Sequence, residues 1–192
     1  MLFGLDAKYR SAQLDAGDRF GARGVLMSKK TDYDESEWKA ITSAPLAAGL
    51  FITLADASGP IGITKEALAV GKAITDSAAG DTPEVVKALA EGVKSGGRPT
   101  MPDLPSGDRT KTKEAIISLL NTAVGAIQTK SPGEAAAYKT WLTSVATKVS
   151  EAAKEGGFLG IGGTRVSTEE QQALKELADV LGTSWQPNPA RP

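Results

Sequence analysis

The chain has 192 residues, enough for one domain with a sizeable core or for two small ones. Its 22 Lys plus Arg stand against 23 Asp plus Glu, a net charge of -1 that excludes a generally basic nucleic-acid binder and a polyanionic chain. With Cys and His both at 0, disulfides, thiolate nucleophiles, Ser-His-Asp and Cys-His arrangements and His-based metal sites are excluded, so acid–base chemistry falls to carboxylates, Lys or Tyr and any bound metal to calcium or magnesium on oxygen ligands.

Residues 1–30 form an N-terminal arm with six basic and three acidic side chains, either a solvated lead-in or a docking arm for an acidic partner. Met1 to Leu5 is apolar, but Asp6, Lys8 and Arg10 interrupt it before a secretory h-region can form, which predicts a cytoplasmic protein. Helix signals then recur and strand alternation is nearly absent, so the fold class expected is all-α, a helical bundle of about six to seven helices. Asp34-Glu35-Ser36-Glu37 opens a helix through Trp38 and Ile41, which Pro45 is expected to kink or restart. The longest apolar stretch, Ala44 to Ala57, holds Pro45 and Asp56 and falls short of the ~20 residues of a membrane span, so it reads as a buried core helix and no transmembrane segment is expected.

A helix from Thr64 should turn Ala67, Leu68, Val70, Gly71 and Ile74 inward. The next opens at Thr82-Pro83-Glu84, with Thr82 as cap and Pro83 at the first helical position, and carries the stripe Val86, Leu89, Ala90 and Val93. Residues 95–107, dense in Gly and Pro, form a loop that separates halves 31–94 and 108–184 of one helical domain, 31–184. A long helix from about Asp108 to Thr129 buries Ile116, Leu119, Leu120, Ala123, Val124 and Ile127. Arg109, Lys111 and Lys113 cluster at its start, where the helix dipole disfavours cations, so they mark either an anion contact or a solvated face. Ser131-Pro132-Gly133-Glu134 is a capping box before a helix with Tyr138, Trp141, Leu142, Val145, Ala146 and Val149 on one face. Ser167-Thr168-Glu169-Glu170 is a second box, before a helix burying Ala173, Leu174, Leu177, Ala178 and Leu181 and ending at Gly182. Residues 185–192 form a Pro-rich tail.

A shift of 103 residues places Trp38 on Trp141, Ile63 on Val166, Thr64 on Ser167 and Glu66 on Glu169, a faint repeat consistent with two pseudo-symmetric helical-hairpin halves or with shared capping chemistry alone. The apolar run Leu50 to Ala55, then Asp56-Ala57-Ser58-Gly59 and Ile63-Thr64-Lys65-Glu66, resembles the pattern of the tellurite-resistance TerB-like proteins. Gly156-Gly157 followed by Val166-Ser167-Thr168-Glu169-Glu170 is similar to the second half of that scheme. The second half departs from it in carrying Leu159 where the shift puts the counterpart of Asp56. The resemblance implies an all-helical bundle of two pseudo-symmetric halves, a divalent cation at acidic helix junctions, and a role in stress or defence assemblies at the inner side of a membrane.

The metal candidates are Asp56, Glu66, Glu155, Glu169 and Glu170, which would converge if the two hairpins pack face to face. Acids in a first helical turn are also favoured by the dipole alone. Phe158, Leu159 and Ile161, in the glycine-rich segment 156–163, are the partner-binding candidates, with burial over the helix junction as the competing reading. Neither a P-loop nor a dinucleotide fingerprint is present there. The expected protein is a non-enzymatic scaffold or adaptor of a bacterial stress-response or defence type system. It carries a possible calcium or magnesium site, binds a protein partner or itself, and does not bind nucleic acid. The alternative is an accessory subunit acting only through protein–protein contacts.

Overall fold

The computed structural model describes residues 30–55, 63–77, 82–98, 100–105, 107–155 and 166–187. Among them are a short 3-10 turn at Lys30–Asp32 and six α-helices: α1 (Glu35–Thr53), α2 (Ile63–Asp76), α3 (Glu84–Lys94), α4 (Arg109–Lys130), α5 (Pro132–Glu155) and α6 (Thr168–Leu181). No strand occurs among the described residues, so the fold is an all-α bundle. No helix among them is long and apolar enough to cross a membrane.

The helix ends follow local chemistry. Asp34 caps α1 by accepting from the Glu37 N–H at 2.8 Å, while the Glu37 carboxylate accepts from the Asp34 N–H at 2.9 Å. The same reciprocal box joins Ser167 and Glu170 at the start of α6, and Gly182 ends that helix with φ 66, the left-handed cap that suits glycine. Asp108 caps α4 by accepting from the N–H groups of Thr110 and Lys111. At the end of α3 the Gly97 N–H reaches back to the Gly92 carbonyl across Gly96 at φ 90, a Schellman turn.

α1 and α5 form the centre. Each packs against α2, α4 and α6, so the two sequence halves share one core. The Tyr138 hydroxyl meets Ile41 near the helix starts and Val149 meets Gly49 further along, so α1 and α5 run in the same direction. The inward faces of α5 and α6 are those the sequence spacing predicts: Tyr138, Trp141, Leu142, Val145, Ala146 and Val149, and Ala173, Leu174, Leu177, Ala178 and Leu181, are all buried.

Three local expectations need correction. α1 does not restart at Pro45: it stays helical through that residue, which is buried in its middle. The carbonyl that loses its helical donor to Pro45 is that of Ile41, and it accepts the Tyr138 hydroxyl at 3.1 Å. Leu68 is 75% exposed, whereas α2 buries Val70, Ala73 and Ile74. Positions two apart on a helix lie about 200° apart, so Leu68 and Val70 cannot share a face. Thr82 does not cap α3: Pro83 is the cap residue, and the Thr82 hydroxyl donates back to the Ser77 carbonyl at 2.7 Å. The buried Glu134 of α5 supplies the acceptor instead, taking the Val85 N–H at 3.2 Å. The chain beyond α6 folds onto α5, where the Trp185 indole N–H donates to the Thr147 hydroxyl at 3.1 Å.

Candidate functional site

The strongest site candidate is a cleft of about 500 Å³ where the end of α1 meets the beginnings of α4 and α6. Its floor is apolar: Phe51, Leu54 and Ala55 come from the α1 end and Ala173 from α6. Its two walls differ in charge. Arg109, Thr110 and Lys113 line the α4 side, and Glu169, Gln172 and Glu176 line the α6 side. This arrangement follows from helix periodicity. Arg109 and Lys113 are four residues apart, and Glu169 and Glu176 seven, so each pair shares one helix face.

The walls meet at one place. The Lys113 ammonium pairs with the Glu176 carboxylate at 2.7 Å and lies 5.2 Å from the centroid of the Phe51 ring. That geometry gives Lys113 an ion pair and a cation–π contact together. Asp108 takes the Thr110 and Lys111 amides of α4, and the Ser167 hydroxyl takes the Glu170 amide of α6. Side-chain charge on the two walls and the half-buried Leu54 and Ala55 are what the cleft offers an occupant.

Of the predicted metal residues, the structure brings Glu169 to this cleft, exposed on its rim. Glu170, one residue on, is buried and accepts from both the N–H and the hydroxyl of Ser167. Asp56 and the side chains of Glu66 and Glu155 lie outside the described residues, as do Phe158, Leu159 and Ile161. Among the described residues no three carboxylates group closely enough to hold a metal ion. The cluster of Arg109 and Lys113 was legible in the sequence, but Phe51, Gln172 and Glu176 were not read as site residues. Their only sequence signal is position on a helix face, and Lys113 and Glu176 are 63 residues apart.

A second end-site lies at the opposite end of α1. The Lys130 ammonium closes the end of α4 onto the Glu37 carboxylate at 2.7 Å. The Glu37 carboxylate holds Lys130 above its usual range. The Glu37 N–H, with the Ser36 hydroxyl behind it, holds the Asp34 carboxyl below the usual carboxylate range. Tyr33 and Trp38 stack obliquely beside this junction, 6.0 Å between centroids. These groups satisfy one another and tie the start of α1 to the end of α4, which is structural work.

No protein-family model, no curated protein and no solved structure matches this chain.

Proposed function

We propose that the protein is a non-enzymatic helical scaffold or adaptor that receives a segment of a partner protein in the cleft between α1, α4 and α6. The observation that carries this reading is the cleft itself: an apolar floor on which Leu54 and Ala55 stay half-buried, walled by charged side chains on two different helices. Leu54 and Ala55 keep part of their apolar surface exposed and gain from covering, while the rim charges fix which partner covers them. Enzymatic work draws little support, because the cleft's most enclosed cation, Lys113, is held in an ion pair by Glu176 and the chain has no His or Cys to share a proton. A bacterial stress-response or defence setting belongs to the same proposal and is supported by the TerB-like motif resemblance alone.

The test is site-specific photo-crosslinking in cells. A benzoylphenylalanine placed at Gln172, exposed inside the cleft, should give an adduct of defined mass that is absent when the probe sits at Asn121 on the outer face of α4. Arg109→Glu should remove the Gln172 adduct. Identical adducts at both positions, or none, overturn the reading. A divalent cation enters this proposal only through Glu169 on the rim. A melting temperature raised by millimolar calcium would support it, and an unchanged one would remove it.

A further inference from the structure

At the start of α1, beside the Lys130–Glu37 junction, a second groove of about 560 Å³ opens between the helix and the loop before α4. Glu35, Trp38 and Thr42 line it from α1, and Thr100 lines it from the loop. Its apolar surface is open to solvent: Trp38 is half-buried, and Met101, next to Thr100, is 54% exposed. The chain's three tryptophans differ in one respect. The indole N–H of Trp141 donates to Ser77 and that of Trp185 to Thr147, whereas that of Trp38 donates to nothing among the described residues. Glu35 is exposed and has no ion pair among them, and Lys39 stands one turn further along the same face. A half-open aromatic ring with a spare donor suits an extended, proline-containing segment. Polyproline geometry leaves the backbone carbonyls without internal partners, and such segments dock in aromatic-lined grooves.

We propose that this groove takes the Pro-rich tail of a second copy of the chain. The tail runs Trp185-Gln186-Pro187-Asn188-Pro189-Ala190-Arg191-Pro192, of which residues 188–192 lie outside those the structure describes. Pro189 and Pro192 are three apart, the period of a polyproline helix, so in that geometry they share a face to lay along Trp38 and Met101. A carbonyl of the segment accepts the Trp38 N–H. Arg191, the tail's only charged side chain, meets Glu35, and repulsion by Lys39 fixes the direction of the segment. The chain's own tail does not serve. Trp185 is held at Thr147 on α5, and Val149 stands level with Gly49, so Trp38 lies about 14 Å nearer the start of the parallel α1. The four residues from Trp185 to Pro189 span at most about 14 Å when fully extended, which leaves nothing for the crossing from α5 to α1. The contact joins unlike surfaces, so it links copies head to tail.

The experiment adds the acetylated and amidated peptide Gln-Pro-Asn-Pro-Ala-Arg-Pro to the full chain, labelled with nitrogen-15 and kept dilute, and follows the three indole N–H resonances. The Trp38 resonance should move and that of Trp141 should stay. A peptide with serine at all three prolines should bind at least about tenfold more weakly. Glu35→Lys, a change at an exposed position, should weaken the parent peptide about fivefold or more, and a peptide carrying Glu in place of the Arg should recover binding to that variant. Without peptide, concentrating the full chain should move the Trp38 resonance the same way, with sedimentation velocity showing association that Pro189→Ser with Pro192→Ser abolishes. A Trp38 resonance unmoved by the peptide, equal binding of the serine peptide, or a preference unmoved by Glu35→Lys overturns the proposal. So does peptide binding with no concentration dependence in the chain alone, which would give the groove to a proline-rich segment of another protein. None of these outcomes touches the cleft between α1, α4 and α6, which the Gln172 crosslink tests separately.

Discussion

The Tyr138 hydroxyl donates to the carbonyl oxygen of Ile41 at 3.1 Å, and Ile41 is the residue whose helical donor Pro45 removes. A proline in the middle of α1 would ordinarily leave that carbonyl orphaned in the core, where Ile41 is fully buried. α5 repairs the defect from outside the helix. One bond thus lets α1 continue and fixes how α5 lies along it.

This pairing predicts a coupling. Tyr138→Phe should destabilise the protein by about 1 kcal/mol, the net worth of one hydrogen bond, through the carbonyl it abandons. Pro45→Ala returns a backbone N–H to position 45 and gives Ile41 its helical partner back. In that background Tyr138→Phe should cost markedly less. Urea unfolding of the four proteins in the cycle measures this, and strictly additive losses would show that the hydroxyl is not serving the proline gap.

The same burial makes an alkaline prediction. Burial pushes the Tyr138 phenol up, above the ordinary tyrosine range, because the charged phenolate has no water around it. A folded-state value raised above the unfolded one means stability that is complete below pH ~10 and is lost as pH rises beyond it. Absorbance of phenolate near 295 nm should therefore show one of the chain's 3 tyrosines ionising only as the protein unfolds. Tyr138→Phe should flatten the alkaline limb of the stability profile by one proton. A Tyr138 phenol that ionises while the near-ultraviolet circular dichroism stays native would contradict this.

Glu134 offers a test of capping across helices. Its carboxylate is 5% exposed and accepts from the Val85 N–H in the first turn of α3. Glu134→Ala removes that acceptor from an amide on a fully buried residue and should cost about 1–3 kcal/mol. Glu134→Gln keeps an acceptor oxygen in reach and should recover much of the loss. Native-state hydrogen exchange should place the effect at Val85 and Val86 before it spreads to α5. An alanine variant whose Val85 amide exchanges as slowly as in the parent would show that the cap contributes nothing.

The fold was readable in the sequence where one face of a helix carries the whole signal. α5 and α6 repeat apolar residues at spacings of three and four and are bounded by capping chemistry, and both proved buried along the expected stripe. Reading failed where the deciding partner is distant in the chain. Nothing near Pro45 announces a tyrosine 93 positions on, and nothing near Thr82 announces that Glu134 will take over its capping role. Leu68 was misplaced for a different reason: α2 has apolar or small residues on several faces, and composition alone does not choose among them. For the cleft, the basic cluster at the start of α4 was visible, and Glu169 was singled out for a cation. Only packing puts Lys113 against Glu176 and Phe51, which turns separate charges into opposite walls.

Gly49 carries the last prediction. It is buried in α1 where that helix passes both α2 and α5, and a β-carbon there would sit 3.3 Å from a methyl of Val70 and 3.4 Å from a methyl of Val149. Glycine in a helix interior costs about 1 kcal/mol relative to alanine, so its presence needs a packing reason, and the close approach of three helices supplies one. Gly49→Ala sets that propensity gain against contacts that must yield by a few tenths of an ångström, and its net effect should be small. Gly49→Val adds two further methyl groups with no room for them and should cost about 1–3 kcal/mol or more, the usual range for overpacking. Because the crowding comes from particular neighbours, Gly49→Val combined with Val149→Ala should lose less than the sum of the two single changes, the space freed on α5 receiving the methyls added on α1. Thermal unfolding of the single and double variants reads the coupling. Additive losses would mean that position 49 is destabilised through the helix backbone and not through contact with α5, and the close three-helix approach would then not be what glycine is there to permit.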